Sequence, residues 1–367
     1  MEKPSQSPPR QKTTDLAEAR REQSGSHPRF LVIRLSSIGD IVHALPAVAA
    51  LGQSFPQAEI HGLIEKRYAP LLAGNPYVHR MIPLDTLSWR GRLPPLSVLE
   101  EMVKTLIGLR ESNYEAALDF QGLWKSAIIA LLAGPKARVG LAESWLREPG
   151  AAVLYTARVP VAGRHVVEES LALVEHLGAR VGRWEFPLPH TPEADRYIDD
   201  QLARLEARDF MIINPGGGWK AKRWAPENYA QLLRHLEARF SGKLLLTGSP
   251  DEQELILGIL RIAGTRRAFY FPSSVVQFIA LARRAKLLLG GDTGPLHLAA
   301  AVGTPLVAIH GPTDPARNGP FHSADIALYN RAPVNHSRRD PNAAYLEGIS
   351  VERVEAAIEE RLARVNV

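Results

Sequence analysis

The chain contains no cysteine among its 367 residues. This excludes disulfides, thiolate metal sites and a cysteine nucleophile. It also lacks any apolar run near the roughly 18 residues needed to span a bilayer. Residues 1–28 are polar and have no apolar central stretch, so they do not read as a secretory leader. They read as a disordered tail, in which 14–22 could form a frayed helix. There is no acidic excess: 44 lysines and arginines against 39 aspartates and glutamates leave a net charge of +5. So mild a surplus suits an acidic ligand or surface and does not mark a nucleic-acid binder. No run of His, Asp and Glu has metal-ligand spacing. What remains, 45% hydrophobic and 23% charged, is an ordinary globular composition of about two domains, cytoplasmic by default.

What is present is alternation. Apolar runs at 30–33, 59–64, 80–83, 116–119 and 137–140 read as strands. Helical spacing covers 41–54, interrupted by Pro46, then 96–112, 123–132 and 163–177. Pro187, Pro189 and Pro192 place a linker at 184–192. The alternation then restarts, with strands at 210–214, 243–247, 268–271, 287–289 and 305–309, the last closing the sheet. Helices are predicted over 194–207, 226–238, 251–262, 275–285 and 296–302, with a terminal helix at 351–364. The pattern implies an α/β fold of two parallel sheets covered by helices. The domains are 29–185 and 193–350, followed by a terminal segment 351–367. Ligands of such sheets bind beyond the carboxyl ends of the strands.

Four loops fall there. In the first, Asp40 follows strand and turn, and is either a base for a substrate hydroxyl or a helix cap. His43, one turn on, is either its partner or a structural group. The second, 214–224, gathers three glycines, three cations and two tryptophans, and suits backbone and lysine contacts to phosphate. The third, 247–254, offers carboxylates that either hold sugar hydroxyls or favour a helix start. The fourth is 286–297, whose leucines and glycines lead into Asp292, Thr293, Gly294 and Pro295 at a helix N-terminus. Such a terminus favours phosphate. After the next strand comes His310-Gly311-Pro312-Thr313-Asp314.

Three segments together carry a family resemblance. Ser36-Ser37-Ile38-Gly39-Asp40-Ile41-Val42-His43, Asp292-Thr293-Gly294-Pro295-Leu296-His297 and Gly311-Pro312-Thr313-Asp314-Pro315 resemble the bacterial heptosyltransferases of glycosyltransferase family 9. Asp119-Phe120-Gln121-Gly122-Leu123-Trp124-Lys125-Ser126-Ala127, with Arg147-Glu148-Pro149, looks like the members that act first in the pathway, heptosyltransferase I. The similarity spans about 30–321. It implies a GT-B fold, two Rossmann-like domains facing a central cleft. It implies inverting transfer of L-glycero-D-manno-heptose from ADP-heptose to Kdo of Kdo-lipid A, with no metal and no other cofactor.

Carried over residue by residue, the resemblance makes Asp40 the general base and Lys222 the charge that balances departing ADP. Donor contacts would come from Gly217, Gly218, Lys222, Glu252, Glu254, Asp292, Thr293, Gly294 and His297. Acceptor contacts would come from Ser37, Gly39, His43, Arg90, Arg92, Gln121, Lys125 and Arg147. Trp89 beside Arg90 and Arg92 suggests a loop that touches lipid. The glycines 216–218 stand where related sequences often carry hydroxyl side chains, which implies backbone contacts to the donor there. The protein would be a monomer, held peripherally at the cytoplasmic face of the inner membrane by its charge. Heptosyltransferase II, another family 9 enzyme with a different acceptor, and a non-catalytic nucleotide-sugar-binding protein remain alternatives. A dinucleotide oxidoreductase does not, since the first turn lacks Gly-x-Gly-x-x-Gly.

Overall fold

A computed structural model describes residues 27–86, 96–218, 222–330 and 346–364. The first half is a six-stranded parallel sheet, in the order β3-β2-β1-β4-β5-β6. Its strands are β1 (Arg29–Ile33), β2 (Glu59–Glu65), β3 (Arg80–Leu84), β4 (Ala116–Asp119), β5 (Ala137–Leu141) and β6 (Ala157–Val159). The helices are α1 (Ile38–Ser54), α2 (Leu96–Glu111), α3 (Trp124–Leu132) and α4 (Val166–His176). α1 and α4 cover one face; α2 and α3 cover the other. β1 can be a continuous apolar run because both its faces are covered.

The second half repeats the design. Its strands are β7 (Phe210–Asn214), β8 (Lys243–Leu246), β9 (Ala268–Tyr270), β10 (Leu287–Gly291), β11 (Leu306–His310) and β12 (Ile326–Tyr329). They form a second parallel sheet, ordered β12-β11-β10-β7-β8-β9. α5 (Pro192–Arg204), α8 (Val275–Ala282) and α9 (Gly294–Ala301) pack on one face. α6 (Pro226–Arg239), α7 (Gln253–Ala263) and α10 (Val351–Ala363) pack on the other. The terminal helix therefore shares this core: Trp224 Nε1 donates to Ile349 O at 2.9 Å, just before it. Among the described residues no helix is long and apolar enough to cross a membrane.

α1 joins the halves. Ala44, Ala47, Val48 and Leu51 enter the core of its own half, while Ile41, Val42 and Leu45 enter the core of the second. A helix buried on both sides needs apolar residues all round, which explains its sequence. Pro46 lies inside it without ending it.

Four expectations change. α1 begins at Ile38, so Ser37 is the N-cap and Asp40 lies inside the first turn. β10 runs through Gly290 and Gly291, which were expected to end it. β12 extends the sheet past β11, which was expected to close it, and β6 was not anticipated. β6 and β12 are short, and each contains an exposed residue that interrupts the buried run.

Candidate active site

Each sheet reverses its strand order beside its first strand, and a site forms at each reversal, as doubly wound sheets favour. In the first half the loops after β1 and β4 meet. Gln121 Oε1 accepts from Leu35 N and Ser36 N, each at 3.0 Å. Asp119 lies beneath: it accepts from Gln121 N at 2.9 Å, Gly122 N at 3.1 Å and Tyr155 Oη at 2.8 Å. The Arg34 guanidinium donates to Phe120 O. Gln121 thus holds the loop that carries Asp40, whereas an acceptor contact was expected of it.

Asp40 Oδ2 accepts from Ser37 N at 2.8 Å and Ser37 Oγ at 3.0 Å, and Oδ1 meets Arg34 Nη2 at 2.8 Å. Its side chain keeps 40% of its surface. Burial pushes its pKa up, but Arg34 and the Ser37 bonds outweigh that and hold it below the usual 3.8. Asp40 is therefore both a capping residue and an ionised carboxylate open to solvent. The two roles that the sequence set against each other coexist.

In the second half the loops after β7 and β10 meet. Lys222 Nζ donates to Asp292 Oδ2 at 2.6 Å and to Asp292 O at 3.1 Å. His297 Nε2 lies 2.9 Å from Asp292 Oδ1. Burial pushes the Asp292 pKa up, but His297 and Lys222 carry it well below the normal value. Thr293 Oγ1 donates to Asn214 Oδ1 at 3.3 Å, and Asn214 Nδ2 reaches Thr247 O at 2.8 Å. Above this pair, the first turn of α9 presents N–H groups that have no acceptor within the helix.

Glu252 was expected at donor hydroxyls. In the structure it staples two loops: Oε1 accepts from Gly217 N at 2.7 Å, and Oε2 accepts from Ser249 N at 2.8 Å and Ser249 Oγ at 3.0 Å. A Cβ on Gly216 would stand 2.2 Å from that carboxylate, which accounts for glycine there. The Gly217 amide, expected among the donor contacts, thus donates to Glu252 in this structure. Gly218 is exposed, as is Glu254 in the first turn of α7.

The two sites touch. A Cβ on Gly39 would lie 2.4 Å from His297 Cδ2, and one on Gly294 would lie 2.8 Å from Ile38 Cβ. The N-termini of α1 and α9 therefore abut, with Asp40 on one and Thr293 on the other. His43 was expected at the acceptor, but it is buried in this seam. Its ring centroid lies 4.4 Å from that of His297 and 5.6 Å from those of His165 and Phe321. Neither ring nitrogen has a hydrogen-bond partner among the described residues. Burial, with His297 and His165 beside it, pushes its pKa well down, so it is neutral. Gly39 likewise makes room for His297. A second seam contact pairs Arg317 with Glu169 at 2.6 Å.

The remaining acceptor positions are dispersed. Ser37 is exposed beside Asp40, Lys125 is half-buried in the first turn of α3, and Arg147 is exposed. Arg90 and Arg92, with Trp89, lie outside the described residues. Sequence reasoning assigned no role to Arg34, Asn214 or His165. Arg34 directly follows β1 and Asn214 ends β7, so position at a strand end was the available signal.

Three comparisons bear on this geometry. The family model for glycosyltransferase family 9 (heptosyltransferase) matches residues 102–345. The chain is 30% identical to lipopolysaccharide heptosyltransferase 1 of Pseudomonas aeruginosa over 314 residues, which covers 83% of this chain and 84% of that one. It is 28% identical to lipopolysaccharide heptosyltransferase 2 of Escherichia coli over 314 residues, 81% of this chain and 87% of that one. A solved structure described as E. coli heptosyltransferase WaaC with ADP superposes with a TM-score of 0.75 at 25% identity, covering 91% of this chain and 99% of that one.

Proposed function

Because the chain belongs to glycosyltransferase family 9, the heptosyltransferase family, we propose that it transfers L-glycero-D-manno-heptose from ADP-heptose to Kdo of Kdo-lipid A, with inversion. The observation that carries this reading is the abutment of two helix N-termini, one bearing an ionised and accessible Asp40, the other Thr293 and Gly294. An acceptor hydroxyl at Asp40 and a diphosphate at α9 would then meet across the seam. The identities of 30% and 28% stand too close to select the acceptor. That choice leans on the Trp124-Lys125 and Arg147 motifs.

The acceptor oxygen forms its bond to the anomeric carbon as the bond to the diphosphate breaks on the opposite face. Its proton passes to Asp40, and the electron pair leaves with ADP. A carboxylate with a depressed pKa is a weak base. It suits a late proton transfer, once the leaving bond has stretched and the attacking hydroxyl has become acidic. Charge on the departing ADP meets Lys222 and the first-turn N–H groups of α9. Asp292 holds Lys222 in place at that terminus. Lysine and helix dipole supply the charge that a divalent metal would otherwise provide. The enzyme would act as a monomer at the cytoplasmic membrane face, drawn to an acidic glycolipid.

The test is ADP release from ADP-heptose with Kdo-lipid A, in chelator, for wild type and Asp40→Ala. Acceptor-dependent turnover in the wild type and a loss of about 10²–10⁴-fold in the variant, with ADP still bound by both, is the expected result. Turnover that survives in Asp40→Ala returns Asp40 to capping alone. Turnover only on an acceptor that already carries heptose moves the assignment to heptosyltransferase II.

A further inference from the structure

Most large apolar side chains left exposed by the described residues lie on one flank of the first half. On α3, Trp124, Ile128 and Leu131 follow i, i+4, i+7 spacing and form one stripe. The opposite side, Ser126, Ile129 and Ala130, is buried. On α2, Val103 and Ile107 share a stripe with Arg110, whose Cγ would lie 3.7 Å from a Cβ on Gly134, just past α3. That contact turns the α2 stripe toward α3. On the other side of α3, the short helix Pro149–Leu154 carries Gly150 against the Trp124 ring. Beyond it stands Val153. These side chains are 40 to 62% exposed and form a band across three neighbouring elements. Scattered exposed leucines mean nothing, but a contiguous band marks an interaction surface. The second half has only Tyr197 on α5 and Leu257 and Ile262 on α7 in this class among its described residues.

We infer that this α2–α3 flank docks on a bilayer surface containing anionic lipid. The inference rests on the proposed function, in which the acceptor is a lipid, and adds where the membrane lies. Two observations select that occupant. The first is continuity with the site: α3 starts three residues after Gln121, the residue that holds the Asp40 loop. A bilayer against α3 therefore lies next to the acceptor side of the cleft. The second is charge. The cleft end of the band carries Lys125 and Arg147, while Glu148 between them is turned to accept from Trp124 N at 2.7 Å. On α2, Lys104 and Arg110 flank the stripe while Glu100 and Glu111 stand at its two ends in the same register, so that helix adds no net positive charge and the cations lie at the cleft end. An apolar face with cations and a tryptophan at its border matches the order of acyl chain, interface and phosphate in a leaflet.

The experiment compares wild type with the triple variant Ile107→Ser, Ile128→Ser, Leu131→Ser. All three positions are exposed, so the fold should tolerate them. Co-sedimentation with vesicles of phosphatidylethanolamine and phosphatidylglycerol is measured, together with size-exclusion mass and turnover on an acceptor stripped of acyl chains. The expected result is at least a tenfold weaker partition to vesicles by a variant whose turnover on the stripped acceptor is unchanged. Weaker binding of the wild type to purely zwitterionic vesicles is also expected. Vesicle binding unchanged in the variant overturns the inference. So does a wild-type dimer that becomes monomeric in the variant, because a second copy then covers the flank. If neither protein turns over any acceptor yet the variant alone leaves the vesicles, docking stands and the proposed function falls.

Discussion

Two aspartates occupy comparable places in the two halves, and their surroundings differ. Asp40 follows β1 and Asp292 follows β10, each at the point where its sheet reverses strand order. Asp40 keeps 40% of its side-chain surface; Asp292 keeps 3%. Asp40 is held by a serine and one arginine at the solvent edge, Asp292 by a lysine and a histidine inside. Both are ionised, each because its partners outweigh the cost of burial. The exposed carboxylate can exchange a proton with a ligand. The enclosed one cannot, and its charge serves to fix Lys222 and His297. Residue type and place at a strand end beside the reversal are alike, although Asp40 follows the first strand of its sheet and Asp292 the fourth; accessibility separates reactant from scaffold.

Parallel substitutions would break or sharpen that comparison. Asp40→Ala should cost the larger share of turnover, the 10²–10⁴-fold already stated, with only about 1–2 kcal/mol of stability from a lost cap and a solvent-edge ion pair. Asp292→Ala should do the reverse in its stability component. It removes an enclosed carboxylate that both Lys222 and His297 contact, and removing one partner of a buried pair costs about 3–5 kcal/mol. Urea unfolding beside single-turnover kinetics reads both quantities. Equal stability losses would show that Asp292 is no more structural than Asp40.

The seam offers a smaller effect. Gly39→Ala places a methyl where the His297 ring stands. Overpacking of this kind costs about 1–3 kcal/mol. If it parts the two helix ends by even part of an ångström, turnover should fall about tenfold to a hundredfold. Gly108→Ala on α2, where nothing lies within 4 Å, is the control and should be neutral or slightly stabilising. Equal kinetics in the two variants would mean that the contact between α1 and α9 does not align the site.

Much of this was legible in sequence because its signals are local. The alternation of strand and helix, the linker prolines and the capped start of α9 follow from periodicity and backbone chemistry within a few residues. Asp40, Lys222 and Asp292 came from loops placed at strand ends. What could not be read was pairing across distance. Glu252 looks like a sugar-binding carboxylate until Gly217 and Ser249, on two loops, are seen to occupy it. His43 sits three residues past Asp40 in helical register, and only packing of α9 against α1 places it inside the seam. The apolar stripe of α3 reads as core by its spacing, and only its exposure shows otherwise.

The effect with the least bearing on turnover concerns pH, and it separates the seam from the solvent edge. His310 ends β11 wholly buried, with no partner for either ring nitrogen among the described residues. Burial carries its pKa down to about 4, against a normal 6.5, with Asp292 opposing the shift and His297 and Lys222 adding to it. The unfolded chain then binds a proton that the folded chain does not, between those two values. Stability contributed by neutral His310 is complete above pH 6.5, and it is lost as pH falls toward 4. The limit is about 3 kcal/mol, from 1.36 kcal/mol per pH unit. His43 is depressed in the same direction and adds to the same window. Asp40, with a lowered carboxyl pKa, contributes stability that persists through this window and fails only below pH 3.8. Acid unfolding should therefore begin in the histidines of the seam and second half, before the base loses its charge. Urea midpoints at pH 7 and pH 5 for wild type and His310→Leu test this: the wild type should lose more between the two than the variant. Coincident slopes would mean that water reaches His310, and that the enclosure distinguishing Asp292 from Asp40 is less complete than its contacts imply.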